Sequence, residues 1–195
     1  MAVQLSRVEL PIDDDLQEAL QRFDCVGDRH DGDPVAHEVR EFLRGRSFAH
    51  GIEHGYSSTY VLVDDEQELP RDVVGYTTLA IDSIRLTASE RRALDRPDFP
   101  DFGAIRVAMI GVDQGAQGRG FGLLMLRAVA DLAMNIGDVI AVRFLLADAN
   151  VRQQGWYENR GWVLNRAKPY QHEPDENQDE PTTVSMRLDL LAASN

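Results

Sequence analysis

The pattern of apolar and polar positions along the chain follows two periods, one helical and one extended. Residues 13–22 read as a short helix. Asp33-Pro34 places a capping side chain ahead of a proline at the first helical position. The helix so started is expected to run to about Ser47, with Val35, Val39, Phe42 and Leu43 on its buried face, before Gly51 and Gly55 break it. Residues 59–64 and 73–82 read as strands, and the polar turn at 65–71, with Pro70, makes the pair a hairpin. Thr87-Ala88-Ser89-Glu90 is a capping box that opens a short helix, ended by Pro97 and Pro100. A third strand is expected at 104–113, then a glycine-rich turn at 114–122 and a long apolar helix from about Phe121 to Ile136, stopped by Gly137. A buried strand at 139–146, a helix at 150–159 stopped by Gly161, and a strand at 162–164 follow. Residues 165–181 are polar, carry five acidic side chains and read as a mobile loop. The last strand, 183–190, alternates Val184, Met186, Leu188 and Leu190 with polar neighbours. This order predicts an α/β (α+β) fold with a mixed sheet, and the central strand–turn–helix–strand is expected to be a right-handed parallel crossover.

Composition narrows the setting. The 195 residues suit one domain, 1–195, and 43% hydrophobic content is enough for a core. No apolar run reaches the roughly 20 residues that span a bilayer, and the opening segment lacks the basic start and apolar stretch of a signal peptide. A lone cysteine, Cys25, excludes an internal disulfide framework, and the expectation is a cytoplasmic protein with a partly buried thiol. The net charge of −13 opposes nonspecific binding to nucleic acid or to an anionic membrane. It suits a cationic amine as substrate, and it equally suits simple solubility.

The chemistry concentrates at Ile105 to Gly122, IRVAMIGVDQGAQGRGFG. A strand runs into Gln117-Gly118-Arg119-Gly120-Phe121-Gly122, where a helix starts. Three alternate glycines let the backbone turn tightly and approach a ligand, and a helix N-terminus favours an anion, a diphosphate being the natural guest. The P-loop pattern is excluded because Gly120 is followed by Phe121-Gly122 rather than Lys-Ser/Thr. The dinucleotide fingerprint is excluded because the spacing is G-x-G-x-G, with leucine at 123. His50 and His54 stand at i, i+4, a spacing compatible with a metal on a helix. Gly51 weakens the helix there and no third ligand is evident, so no metal is expected.

The segment resembles the acetyl-coenzyme A motif Q/R-x-x-G-x-G/A of the GCN5-related N-acetyltransferases (GNAT), with Gln117, Gly120 and Gly122 at its defined positions. Ile110-Gly111-Val112-Asp113 is similar to the end of that family's splayed central strand, whose backbone pairs with the pantetheine arm and holds the thioester carbonyl. Asn150, and Tyr157 seven residues later in GWYENRGW, resemble the family's N-x-x-A-x-x-F/L-Y-x-x-x-G-F signature, with Gln153 where alanine is usual. The resemblance covers about residues 20–190. It implies a mixed sheet of six to seven strands flanked by helices, and acetyl-coenzyme A as acetyl donor. It implies cofactor binding by Ile110, Val112, Gln117, Gly118, Arg119, Gly120, Phe121, Gly122 and Asn150. It makes Tyr157 the acid that protonates the leaving thiolate, with direct transfer to a primary amine and the oxyanion held by amides near Val112.

Phe23-Asp24-Cys25, Phe42-Leu43, STYVLVDD, VVGYTTLAIDSI and Gly155-Trp156-Tyr157 are similar to a branch of the family, the acetyltransferase toxins of toxin–antitoxin pairs, which acetylate the amino group of aminoacyl-tRNA. Three readings stay open: an enzyme for a small-molecule or protein amine, a toxin-like enzyme for aminoacyl-tRNA with an antitoxin partner, and a non-catalytic acyl-coenzyme A-binding module. For RNA the arginines at 40, 44, 46, 85, 91, 92 and 96 would have to gather into one basic patch. The fold often pairs through its terminal strands, so the resemblance also carries a homodimer as an option.

Overall fold

The computed structural model describes residues 3–27, 32–64, 72–95, 98–166 and 182–193. Seven strands form one mixed sheet: β1 (Val3–Arg7), β2 (Ser58–Asp64), β3 (Val73–Arg85), β4 (Asp101–Val112), β5 (Phe144–Asn150), β6 (Val163–Leu164) and β7 (Thr183–Asp189). Their spatial order is β1-β2-β3-β4-β5-β7-β6. The flanking helices are α1 (Asp14–Arg22), α2 (Pro34–Arg44), α3 (Ser47–Glu53), α4 (Ala88–Ala93), α5 (Phe121–Gly137), α6 (Gln154–Glu158) and α7 (Leu190–Ala193). The turn expected at 65–71, Arg96, Pro97 and positions 167–181 of the polar loop lie outside the described residues. Among the described residues no helix is long and apolar enough to cross a membrane. The chain packs as two compact units, Met1–Ala80 with Ala108–Val129 and Ile81–Val107 with Ala130–Asn195.

In the first unit, β1 pairs antiparallel with β2 from Val3↔Asp64 to Arg7↔Tyr60, and β2 pairs antiparallel with β3 as the predicted hairpin. The Asp13 carboxylate accepts the N–H of Leu16 and caps α1, while Asp33 accepts from Val35 and Ala36 and caps α2. The core gathers Leu20, Phe23, Leu43, Phe48, Val61 and Tyr76. Each such side chain contributes about 1.5–3 kcal/mol by leaving water. The Tyr76 hydroxyl donates to the Val39 carbonyl at 2.5 Å, so the buried phenol is satisfied and α2 is tied to the sheet. The helix expected to reach Ser47 stops at Arg44. The chain turns at Arg46 (φ 60°) and restarts as α3, which runs through Gly51 to Glu53 because Phe48 and Ile52 anchor it in the same core.

In the second unit, β4 and β5 are parallel, in register from Ala104↔Phe144 to Val107↔Ala147, and each continues beyond, to Val112 and Asn150. β7 pairs antiparallel with β5 along its length and with β6 on its other side. Ile84, Leu86, Ala104, Phe144 and Leu146 form the core. Thr87 and Glu90 make the predicted capping box, and the Arg187 guanidinium meets Glu90 at 2.6 Å. Burial alone would raise the Glu90 carboxyl, but hydrogen bonds from Thr87 and Arg187 outweigh it and hold it low. The strand expected at 139–146 begins instead at Phe144. Val139 and Ile140 are exposed because their N–H groups both return to the Ile136 carbonyl and finish α5. Asp148 and Asn150 belong to β5 because β7 supplies backbone partners, which no apolar pattern reveals.

Candidate active site

The strand–turn–helix predicted from the glycines is present, and side-chain hydrogen bonds hold its shape. At the end of β4 the Asp113 carboxylate accepts from Gly115 N and from Asp24 N, both at 2.9 Å, and opens a single 3-10 turn, Gln114–Ala116. The Gln114 N–H donates to the Asp24 carbonyl at 2.7 Å. The Gln117 amide donates to the Cys25 carbonyl at 2.9 Å and to the Val112 carbonyl at 3.2 Å. The strand end, the turn and the segment after α1 are thus one bonded assembly.

Gly118 and Gly120 follow with φ of +77° and +89°, the left-handed region that costs a side-chain-bearing residue roughly 1–2 kcal/mol. A Cβ at either position would meet nothing within 4 Å, so the backbone conformation, not crowding, demands glycine, and the space beside them is open. Gly122 is already helical, the second residue of α5. α5 has 17 residues, and its first N–H groups have no acceptor within the helix, so its positive end lies at this turn. Phe121 is buried with Leu62, Val74, Ala116 and Met125 and fixes where the helix starts. The Arg119 guanidinium lies 5.2 Å from the Phe121 ring. Ile110 and Val112 are half-buried and pack against that same cluster.

In the second unit, Asn150 ends β5, and its side-chain oxygen accepts from Arg152 N at 2.9 Å. This divides the helix expected at 150–159 into a 3-10 turn, Val151–Gln153, and α6. Tyr157 on α6 is 4% exposed, edge-on to Trp156 at 4.9 Å and to Trp162 at 5.2 Å. Arg160 lies 4.0 Å over the Trp156 ring and donates to the Trp156 carbonyl. Burial pushes the Tyr157 phenol up to about 12, so it keeps its proton throughout the neutral range.

Ile110, Val112 and the run from Gln117 to Gly122 therefore share the first unit, and Asn150 and Tyr157 share the second. Asp24 and Asp113, which the sequence shows only inside longer motifs, shape the turn. Asp113-Gln114-Gly115 carries a local signal, an aspartate bonding the backbone two residues on. Asp24 carries none, because its partner is distant in the chain. Cys25 is buried as expected, and burial followed by the nearby Asp24 charge pushes its thiol up to about 12, the opposite of an activated nucleophile.

No curated protein sequence matches the chain. Solved structures do. A bacterial toxin is similar with a TM-score of 0.73 and 21% identity, over 99% of this chain and 93% of that one. AtaT complexed with acetyl-methionyl-tRNAfMet is similar with a TM-score of 0.73 and 15% identity, over 99% and 98%. A tyrosine-to-phenylalanine variant of the AtaT toxin, bound to the C-terminus of the antitoxin AtaR and acetyl-CoA, gives 0.69 and 15%, over 98% and 96%. At these identities the likeness speaks for the fold. Residues 28–162, which include the glycine turn, Asn150 and Tyr157, match the family model of the acetyltransferase (GNAT) family, and the chain belongs to that family.

Proposed function

We propose that this chain moves an acetyl group from acetyl-coenzyme A to a primary amine of a small molecule or protein by direct transfer. The observation that carries the reading is the pair of positive-φ glycines facing open space at the start of α5. This is a cradle that fits a diphosphate. Gly118, Arg119, Gly120, Phe121 and Gly122 hold the diphosphate through their amides. Gln117 keeps the turn in shape, the main chain of Ile110 and Val112 orients the pantetheine arm, and Asn150 contacts the cofactor. The bound cofactor supplies an activated thioester. Amides near Val112 stabilise the carbonyl oxygen as the amine nitrogen bonds to carbon. The carbon–sulfur bond breaks, Tyr157 donates its hydroxyl proton to the departing sulfur, and the proton lost by the amine nitrogen passes to solvent, from which the phenolate is reprotonated. Because burial raises the phenol, Tyr157 is a protonated donor at every working pH.

A second reading, that the amine belongs to aminoacyl-tRNA and that an antitoxin binds the chain, is favoured by the fold likeness to AtaT complexed with acetyl-methionyl-tRNAfMet. Electrostatics weigh against it. Arg40 pairs with Glu41 and Asp24, Arg44 donates to the Phe23 carbonyl, Arg46 to Gln17, Arg85 to Asp101 and Arg91 to the Leu86 carbonyl. Arg40 and Arg85 are thus ion-paired, Arg44, Arg46 and Arg91 keep their charge, and the net charge of −13 opposes RNA over the whole chain. An acetylation assay with polyamines, peptides and aminoacyl-tRNA as acceptors, with Tyr157→Phe alongside, tests both readings. Transfer only to aminoacyl-tRNA selects the second, and transfer to none overturns both.

A further inference from the structure

α3 carries a constellation that acetyl transfer does not use. Phe48 is fully buried and Ile52 packs against the same core, so the opposite side of the helix faces water. That side presents His50, Glu53 and His54, all exposed, with one ligand atom from each within 4.8 Å of the other two. The sequence shows the histidine pair but hides the third group, because Gly51 was expected to end the helix. Since α3 runs on to Glu53, positions i, i+3 and i+4 share one face.

The geometry points to a surface binding site for a divalent first-row transition metal, held by His50, Glu53 and His54. His54 Nδ1 lies 3.0 Å from the His50 carbonyl oxygen. A carbonyl only accepts, so Nδ1 carries a proton and Nε2 is the nitrogen left to ligate a metal, the arrangement in which a backbone carbonyl orients a metal-ligating imidazole. The two imidazole rings are 4.1 Å apart, and the Tyr56 ring stacks on His54 at 5.7 Å and 26°. The turn beneath is fixed, with Tyr56 N–H on the Gly51 carbonyl at 2.8 Å and Gly55 N–H on the Ile52 carbonyl at 3.2 Å. Two imidazoles and one carboxylate select Zn²⁺, Ni²⁺ or Cu²⁺ over Mg²⁺ and Ca²⁺, which prefer oxygen alone. Zinc–nitrogen bonds of about 2.0–2.1 Å require the three side chains to draw together, which exposed rotamers permit. Water completes the coordination, so binding is reversible.

The experiment is calorimetric titration of the full chain with ZnCl₂ and NiCl₂, without acetyl-coenzyme A, on wild type, His50→Ala, His54→Ala, Glu53→Gln and the control His37→Ala. The expected result is one equivalent of zinc at micromolar affinity, weakened at least about tenfold in either α3 histidine variant, several-fold in Glu53→Gln and not at all in His37→Ala. MgCl₂ is expected to give no saturable heat. Thermal melts of the same proteins provide a second readout. Zinc is expected to raise the Tm of wild type by a few degrees and that of His54→Ala by none. Absence of saturable zinc binding, or equal affinity in wild type and all three α3 variants, overturns the assignment. Neither readout involves acetyl transfer, so failure here leaves the proposed function standing.

Discussion

At the glycine turn the chain presents bare backbone. Gly118 and Gly120 sit at positive φ beside open space, and the groups offered to a ligand are amides and a helix end. At α6 the candidate group is one phenol, 4% exposed and edge-on to two indoles. The first region offers backbone donors beside space open to water. The second is built to hold one proton in a low-dielectric setting. The difference teaches that, under the proposed function, binding and proton donation are expected to fail separately: a substitution at the turn should remove affinity, and one at Tyr157 should remove rate.

The largest expected effect is that of Gly120→Glu. It forces a left-handed residue and sets a carboxylate against a diphosphate, while the open space spares the fold. Acetyl-coenzyme A affinity by calorimetry is expected to fall at least about 100-fold, with a melting temperature lowered by only a few degrees. Retained micromolar affinity would break the assignment of this turn. Next is Tyr157→Phe, which keeps the aromatic packing and deletes only the hydroxyl. The expectation is a loss of about 10²-fold or more in kcat with little change in acetyl-coenzyme A affinity. An equal loss in both quantities would show that the two regions are not separable.

Gln117→Ala is expected to act between these extremes. It removes the donor to the Cys25 and Val112 carbonyls, at a cost of about 1–3 kcal/mol in stability by urea denaturation. A several-fold loss of cofactor affinity should accompany it as the turn loosens, and a stability loss with full affinity would refute its shaping role.

The smallest effect concerns pH. Burial raises the Cys25 thiol from 9.0 to about 12 and the Tyr157 phenol from 10.0 to about 12. Folded-state values above the unfolded ones mean that the native state holds protons that the unfolded chain has released. Stability is therefore fully present below about pH 9 and is expected to decline from there to about pH 12. Cys25→Ala should make the decline shallower and start nearer pH 10, as read by urea midpoints across that range. An unchanged profile would show that the thiol is not the responsible group.

How much of this was legible in the sequence depended on range. Asp33 and the Thr87/Glu90 box announced their helices because a cap is a contact within one turn. Gly118 and Gly120 announced the turn for the same reason: the conformational demand lies at the residue itself. The first strand, Val3–Arg7, carries no local signal, because its formation depends on antiparallel pairing with β2 far along the chain. The strand placed at 139–146 was apolar enough, yet Val139 and Ile140 are spent closing α5. Burial pattern alone does not say which element claims a residue.

The sequence by itself determined the capped helix starts and the glycine turn, since local stereochemistry sets these, and its resemblance to the family supplied Tyr157 and Asn150 as candidates. Tertiary structure decided what those residues experience. It made Gln117 and Asp113 clasps on the strand end and closed Trp156 and Trp162 around Tyr157. It also carried α3 through Gly51, so that Glu53 joins His50 and His54. The physical reason is that hydrogen bonds and desolvation depend on neighbours brought from distant parts of the chain, and no local pattern encodes who those neighbours are.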